Sequence, residues 1–206
     1  MKKAIAVITG SFNPIQNAHV NLGNQVLKKY PNVERVVYVP VSNKYAKDEL
    51  QDSEYRYKIL KSVCDAREKF EVSRIEIDNS TQLYTYQTLD LLKKEFEEYD
   101  IYLVIGSDNL KSFHTWKRYK YLLEKYKVIV FSRNDDNLED IVSKSEYLSK
   151  YSDRISFVVA NDFLNVSSTQ VRNNIKQGKE FKHLLPKEAY EYIMKNNKYE
   201  KENCYE

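Results

Sequence analysis

The chain has 206 residues, and its 33 basic and 30 acidic side chains nearly cancel to a net charge of +3. That length suits one α/β domain with a substantial core, and charges of both signs scattered along it exclude an extended basic surface for nucleic acid. Cys64 and Cys204 lie far apart without a C-x-x-C spacing, which argues against a zinc knuckle, a redox pair or a disulfide framework and fits a reducing cytoplasm.

In chain order, β-rich runs at 4–8, 35–41, 70–77, 101–105, 127–131 and 155–159 alternate with helical patterns. The helical patterns fall near 19–30, 53–69, 86–98, 116–125, 138–148 and 168–177, with a last helix holding Pro186 in its first turn and running to Lys195. This alternation predicts an α/β fold, a Rossmann-like parallel sheet flanked by helices, over a single domain 1–206. The C-terminal part from about 167 is expected to be helical, and the polar tail after 196 to fray. The apolar run 4–8 reads as the first strand rather than a leader, and no run approaches the ~18 apolar residues of a membrane span. Neither membrane nor nucleic acid is expected as a partner. Gly178 reads as a helix C-cap, whereas Gly23 inside the first helix costs about 1 kcal/mol relative to Ala, a cost that close packing or a ligand's approach would offset.

Two segments carry candidate chemistry. Gly10-Ser11-Phe12-Asn13-Pro14-Ile15-Gln16-Asn17-Ala18-His19 follows the first strand and opens a helix. Helix-start N–H groups have no intrahelical partner and sit at the positive end of the dipole, so such a turn suits a phosphate. Gly10 and Ser11 would let that phosphate approach the main chain, and His19 would donate from the first turn. The same residues also suit an ordinary βα turn with a surface histidine. The second segment, Val166-Ser167-Ser168-Thr169-Gln170-Val171-Arg172, again follows a strand and opens a helix. Arg172 suits a polyphosphate through its planar fork of donors, though from this stretch alone an ordinary Ser/Thr cap with a solvated Arg is the better reading. Two such helix starts together would clamp neighbouring phosphates of one ligand.

The first segment resembles the (H/T)-x-x-H signature of the nucleotidyltransferase superfamily, and the second resembles its I-S-S-T-x-x-R signature. Within it the chain is similar to nicotinate or nicotinamide mononucleotide adenylyltransferases. Further matches are Tyr84-Thr85-Tyr86-Gln87-Thr88-Leu89, Gly106-Ser107-Asp108-Asn109-Leu110 with Phe113 and Trp116, Ser132-Arg133, and Leu184-Leu185-Pro186 through Tyr192-Ile193, in the family's order across nearly the whole chain. The resemblance implies attack by a mononucleotide 5′-phosphate on the α-phosphorus of ATP, releasing pyrophosphate on the route to NAD, without a protein nucleophile.

It also implies roles. His19, Arg172 and Gln16 form the catalytic set. ATP lies against Gly10, Ser11, Phe12, His19, Gly106, Asp108, Ser132, Arg133, Ser168, Thr169 and Arg172. The mononucleotide meets Ser11, Phe12, Lys47, Tyr84, Thr85 and Trp116, whose ring would stack on the pyridine. Mg²⁺ accompanies the triphosphate with no protein ligand assigned, and assembly into a homo-oligomer is consistent with the family. Read without the family, Asp108 also suits a helix N-cap, Trp116 core packing and Lys47 a solvated loop; His114 and His183 suit the surface, and Cys64 the core.

Gln16 stands where the family has His or Thr, and Ala18 where bacterial members often have Gly. Gln keeps neutral donors but never becomes an imidazolium, and losing one transition-state donor costs about 3 kcal/mol. Two rivals follow, an adenylyl- or cytidylyltransferase for another phosphorylated acceptor and a noncatalytic nucleotide-binding protein. The choice between nicotinate and nicotinamide stays open: residues 10–17 and 43–47 lean to the amide, while 84–89 and Ser132-Arg133 lean to the acid.

Overall fold

Short, strongly apolar strands with helices between them build one sheet. The computed structural model describes residues 2–47, 49–132, 136–158, 166–196 and 199. Among these, six parallel strands run in the order β3-β2-β1-β4-β5-β6: β1 (Ala4–Gly10), β2 (Val33–Pro40), β3 (Phe70–Val72), β4 (Asp100–Gly106), β5 (Lys127–Phe131) and β6 (Ile155–Val158). β1 pairs with β4 in the register Ile5 with Ile101 and Val7 with Leu103, and Val104 of β4 pairs with Ile129 of β5. Ala4 through Val7 are fully buried, as a parallel sheet covered on both faces requires. The order reverses between β1 and β4, the kind of switch point outside which open α/β sheets gather ligands at the strands' carboxyl ends.

The helices are α1 (Asn17–Lys29), α2 (Ser53–Asp65), α3 (Thr85–Glu95), α4 (Ser107–Lys111), α5 (Tyr119–Lys125), α6 (Leu138–Ser143), α7 (Ser168–Lys176) and α8 (Lys187–Asn196). Asp52 caps α2 by accepting from the N–H groups of Glu54 and Tyr55, and its stripe Tyr55, Arg56, Ile59, Leu60, Val63 and Cys64 is buried. α7 ends in a Schellman arrangement: Gly178, at φ 62°, donates to Ile175 C=O, and Lys179 to Asn174 C=O. A Cβ on Gly23 would lie 2.5 Å from Tyr38 Oη and 2.8 Å from Phe70, so close packing explains that glycine.

Several element boundaries differ from the sequence reading. β3 stops at Val72, and the chain then turns at 75–77, where Asp78 N–H donates to Arg74 C=O at 2.9 Å. The helix expected from Trp116 begins at Tyr119, after Arg118 in left-handed backbone at φ 57°. The helix expected over 138–148 ends at Ser143, and α2 ends at Asp65. Tyr199 is buried rather than frayed, its ring 5.6 Å from that of Tyr55.

The chain forms two compact units: Met1–Thr9, Asn24–Val37 and Leu83–Asp162 in the first, and Gly10–Gly23, Tyr38–Gln82 and Phe163–Glu206 in the second.

Candidate active site

In the second unit the turn after β1 is held from behind. Arg56 is fully buried and donates from Nη1 to Ser11 C=O, from Nη2 to Val41 C=O and from Nε to Gln51 C=O, each at 2.7 Å. Burial lowers its pKa to about 10, so the guanidinium stays cationic at neutral pH. Val41 N–H in turn donates to Gly10 C=O. Phe12 takes φ 40°, backbone that a bulky residue rarely adopts, and its buried ring meets His19 at 5.1 Å and Tyr38 at 5.7 Å. A Cβ at Gly10 would press on that ring at 3.3 Å. With its ring turned inward, Phe12 has only backbone to offer a ligand. Lys47 Nζ donates to Ser11 Oγ at 3.1 Å, which brings the expected ammonium to the expected turn.

The start of α1 is reciprocally capped. Gln16 C=O accepts from Val20 N–H, and Gln16 Oε1 accepts from Ala18 N–H. Gln16 N–H donates to His19 Nδ1 at 3.2 Å. A neutral imidazole held this way carries its proton on Nε2, which makes Nε2–H the donor for an anionic oxygen. Tyr38 Oη donates to His19 C=O at 3.0 Å, which steadies the turn that bears the ring.

α7 is fastened to the same turn. Ser167 Oγ caps it by accepting from Gln170 N–H, Ser168 Oγ donates to Pro14 C=O at 2.9 Å, and Arg172 Nη1 donates to Asn13 C=O at 3.1 Å. Arg172 Nη2 lies 3.4 Å from both Thr169 Oγ1 and Glu49 Oε2. Arg172 is only 9% exposed, yet its buried Nε has no hydrogen-bond partner among the described residues. An unsatisfied buried N–H costs about 1–3 kcal/mol. Lys176 and then Arg172 hold the Glu49 carboxyl below the usual range. Gly10, Ser11, Phe12, Gln16, His19, Lys47, Ser168, Thr169 and Arg172 all belong to this unit.

The remaining candidates belong to the first unit. Gly106 ends β4 and takes the N-cap position of α4, which rules out the cap role for Asp108. That aspartate is exposed in the first turn. Ser132 Oγ donates to Asp136 C=O at 2.9 Å, and Arg133 lies outside the described residues. Trp116 is half-buried rather than in the core and stacks on the buried Phe113 at 4.9 Å and 28°. Tyr84 is 55% exposed, heads α3 just before Thr85, and stacks on Tyr86 at 6.2 Å. Arg118 stands over Tyr86, 5.2 Å from its centroid.

His114 and His183 are exposed and Cys64 is buried, as the sequence suggested; burial pushes the Cys64 thiol up to about 12. Sequence reasoning missed Arg56, Glu49 and Asn13. Arg56 had a signal, since 56, 59, 60 and 63 are the i, i+3, i+4 and i+7 positions of an otherwise apolar stripe. Asn13 joins Glu49 C=O, Gln51 N–H and Tyr199 Oη, contacts that no local pattern announces. Among the described residues, no group of three or more His, Cys, Asp or Glu could hold a metal ion, and no helix is long and apolar enough to cross a membrane.

A parallel sheet with two capped helix starts and converging cationic donors defines a class of protein that handles nucleotide phosphates. The cytidylyltransferase-like family model matches residues 7–174, and the chain belongs to that family. It is 32% identical over 202 residues to a Clostridium tetani protein named "Probable nicotinate-nucleotide adenylyltransferase", covering 97% of this chain and 100% of that one. A Clostridium botulinum protein of the same name is 33% identical over 198 residues, covering 94% of this chain and 98% of that one. The fold matches that of a Plasmodium falciparum nicotinic acid mononucleotide adenylyltransferase complexed with NaAD, with a TM-score of 0.78 at 20% identity, over 96% of this chain and 97% of that one.

Proposed function

We infer that this chain transfers the adenylyl group of ATP to nicotinate mononucleotide, forming deamido-NAD and pyrophosphate in NAD biosynthesis. The observation that supports the chemistry is the fastening of α7, with Arg172, to the turn that leads into α1 and His19, which gathers two candidate phosphate donors around one turn. Nicotinate is chosen over nicotinamide because relatives matching nearly the full chain carry the nicotinate name.

In this reading a phosphate oxygen of the mononucleotide attacks the α-phosphorus of ATP. The bond from that phosphorus to the oxygen bridging to the β-phosphorus breaks, and pyrophosphate leaves with the electron pair. No protein nucleophile is needed; the chain aligns two anions and stabilises charge as it moves onto the leaving oxygens. His19 and Arg172 bind the ATP phosphates, with Ser168 and Thr169 at the α7 start. Lys47 and Ser11 take the mononucleotide phosphate, Gly106, Asp108 and Ser132 the adenosine side, and Trp116, Tyr84 and Thr85 the pyridine ring. The donors of the second unit suit anionic oxygens rather than a cation, so Mg²⁺ enters as part of the substrate MgATP, held by phosphate oxygens and water.

The reading treats 1–206 as one nucleotidyltransferase domain, since each compact unit is drawn from three separated segments. It places the protein in the cytoplasm, where a reducing medium suits the free thiol of Cys64. The test is to mix purified protein with MgATP and either mononucleotide and to quantify dinucleotide and pyrophosphate together. Equal accumulation of both products, faster with nicotinate mononucleotide, is expected. ATP binding without either product would overturn the reading in favour of a noncatalytic nucleotide-binding protein.

A further inference from the structure

Gln16 occupies the position where the signature that the first segment resembles has His or Thr, and the structure ties its side chain to the backbone at two places. It is 4% exposed. Oε1 accepts from Ala18 N–H at 2.6 Å, inside the first turn of α1, while Nε2 donates to Val166 C=O at 2.8 Å, just before the start of α7. Its own N–H fixes His19 Nδ1 as an acceptor. One residue therefore caps the first helix start, orients the imidazole on it and ties it to the segment that leads into the second. A Thr hydroxyl ends too close to the backbone to span these two partners.

We propose that Gln16 is a positioning residue. Its amide sets the spacing between the α1 and α7 starts, and it acts on the reaction through His19 and Arg172 instead of touching phosphate itself. This rests on the reading that the two helix starts hold the triphosphate. Displacement of a reacting group by about 1 Å costs about 100-fold in rate, so a tie of this kind belongs to catalysis rather than to stability alone.

The test has one arm that needs no activity. Amide hydrogen exchange of the ligand-free protein is compared between wild type and Gln16→Ala at Ala18 and across Gln170 and Val171. Exchange at both places is expected to rise at least tenfold, because the tie exists without ligand. In steady-state kinetics kcat is expected to fall at least tenfold while KM for the mononucleotide stays within twofold, and Gln16→His, which restores the family residue, is expected not to recover the protection at α7. Should the alanine variant unfold, Gln16→Glu keeps the bond to Ala18 and loses donation to Val166; faster exchange confined to the α7 start is then expected.

Unchanged exchange with a loss of activity would overturn the proposal and make Gln16 a direct phosphate contact. Faster exchange with unchanged kcat would also overturn it, since the spacing would then not matter to the reaction. If wild type transfers no adenylyl group, the functional reading fails separately, and the exchange arm still decides whether the tie exists.

Discussion

The candidate residues of the two units are held in opposite ways. In the second unit Gln16, Asn13, Arg56 and Arg172 are buried, and each bonds to backbone remote in sequence. In the first unit Tyr84, Asp108 and Trp116 stand exposed or half-exposed, on helix starts and ring stacks that are local in sequence. On the proposed function, the chemistry accounts for the difference. A phosphate group in reaction rewards donors fixed to a fraction of an ångström, whereas a ring that only has to be bound is served by an aromatic face whose contact area matters more than its placement.

The largest expected effect is therefore at Arg172. Arg172→Ala should lower kcat about 100- to 1000-fold with an unchanged far-UV circular dichroism spectrum; a near-wild-type rate would remove Arg172 from the site. Arg56→Met tests whether the interlocking is built from behind. It strands the carbonyls of Ser11, Val41 and Gln51 and should cost about 2–3 kcal/mol, lowering Tm by about 5–10 °C, with a rise in KM for ATP. A variant as stable as wild type would show that the buried guanidinium is dispensable to the turn. The smallest effect is expected at Trp116. Trp116→Ala should raise KM for the mononucleotide about 3- to 10-fold, the worth of one aromatic stack, while kcat and KM for ATP hold. A fall in kcat matching that of Arg172→Ala would erase the contrast between the units.

How far the sequence foretold the molecule depended on whether a signal was local. The strands were legible because continuous apolar runs such as 4–8 and 128–131 have few alternative burials. The two helix starts were legible because capping chemistry is written within four residues, as with Ser167 and Gln170. The end of β3 was not, since the apolar pattern of 70–77 runs on through a turn, and Arg74 there pairs with Glu54, twenty residues earlier. Nor was the burial of Tyr199, which closes on Asn13 from 186 residues away. Gln16 was visible as a departure, but its partner Val166 was not. The motif named the position, and only the fold showed what its amide does.

The hydrogen bonds that fasten α7 to the first turn span 150 to 159 residues of chain. During synthesis, then, the glycine turn and His19 leave the ribosome long before Arg172 exists. On the proposed function, a partly made polypeptide would hold the donors of one helix start without those of the other. The complete phosphate site, on that same proposed function, is thus assembled only at the end of translation.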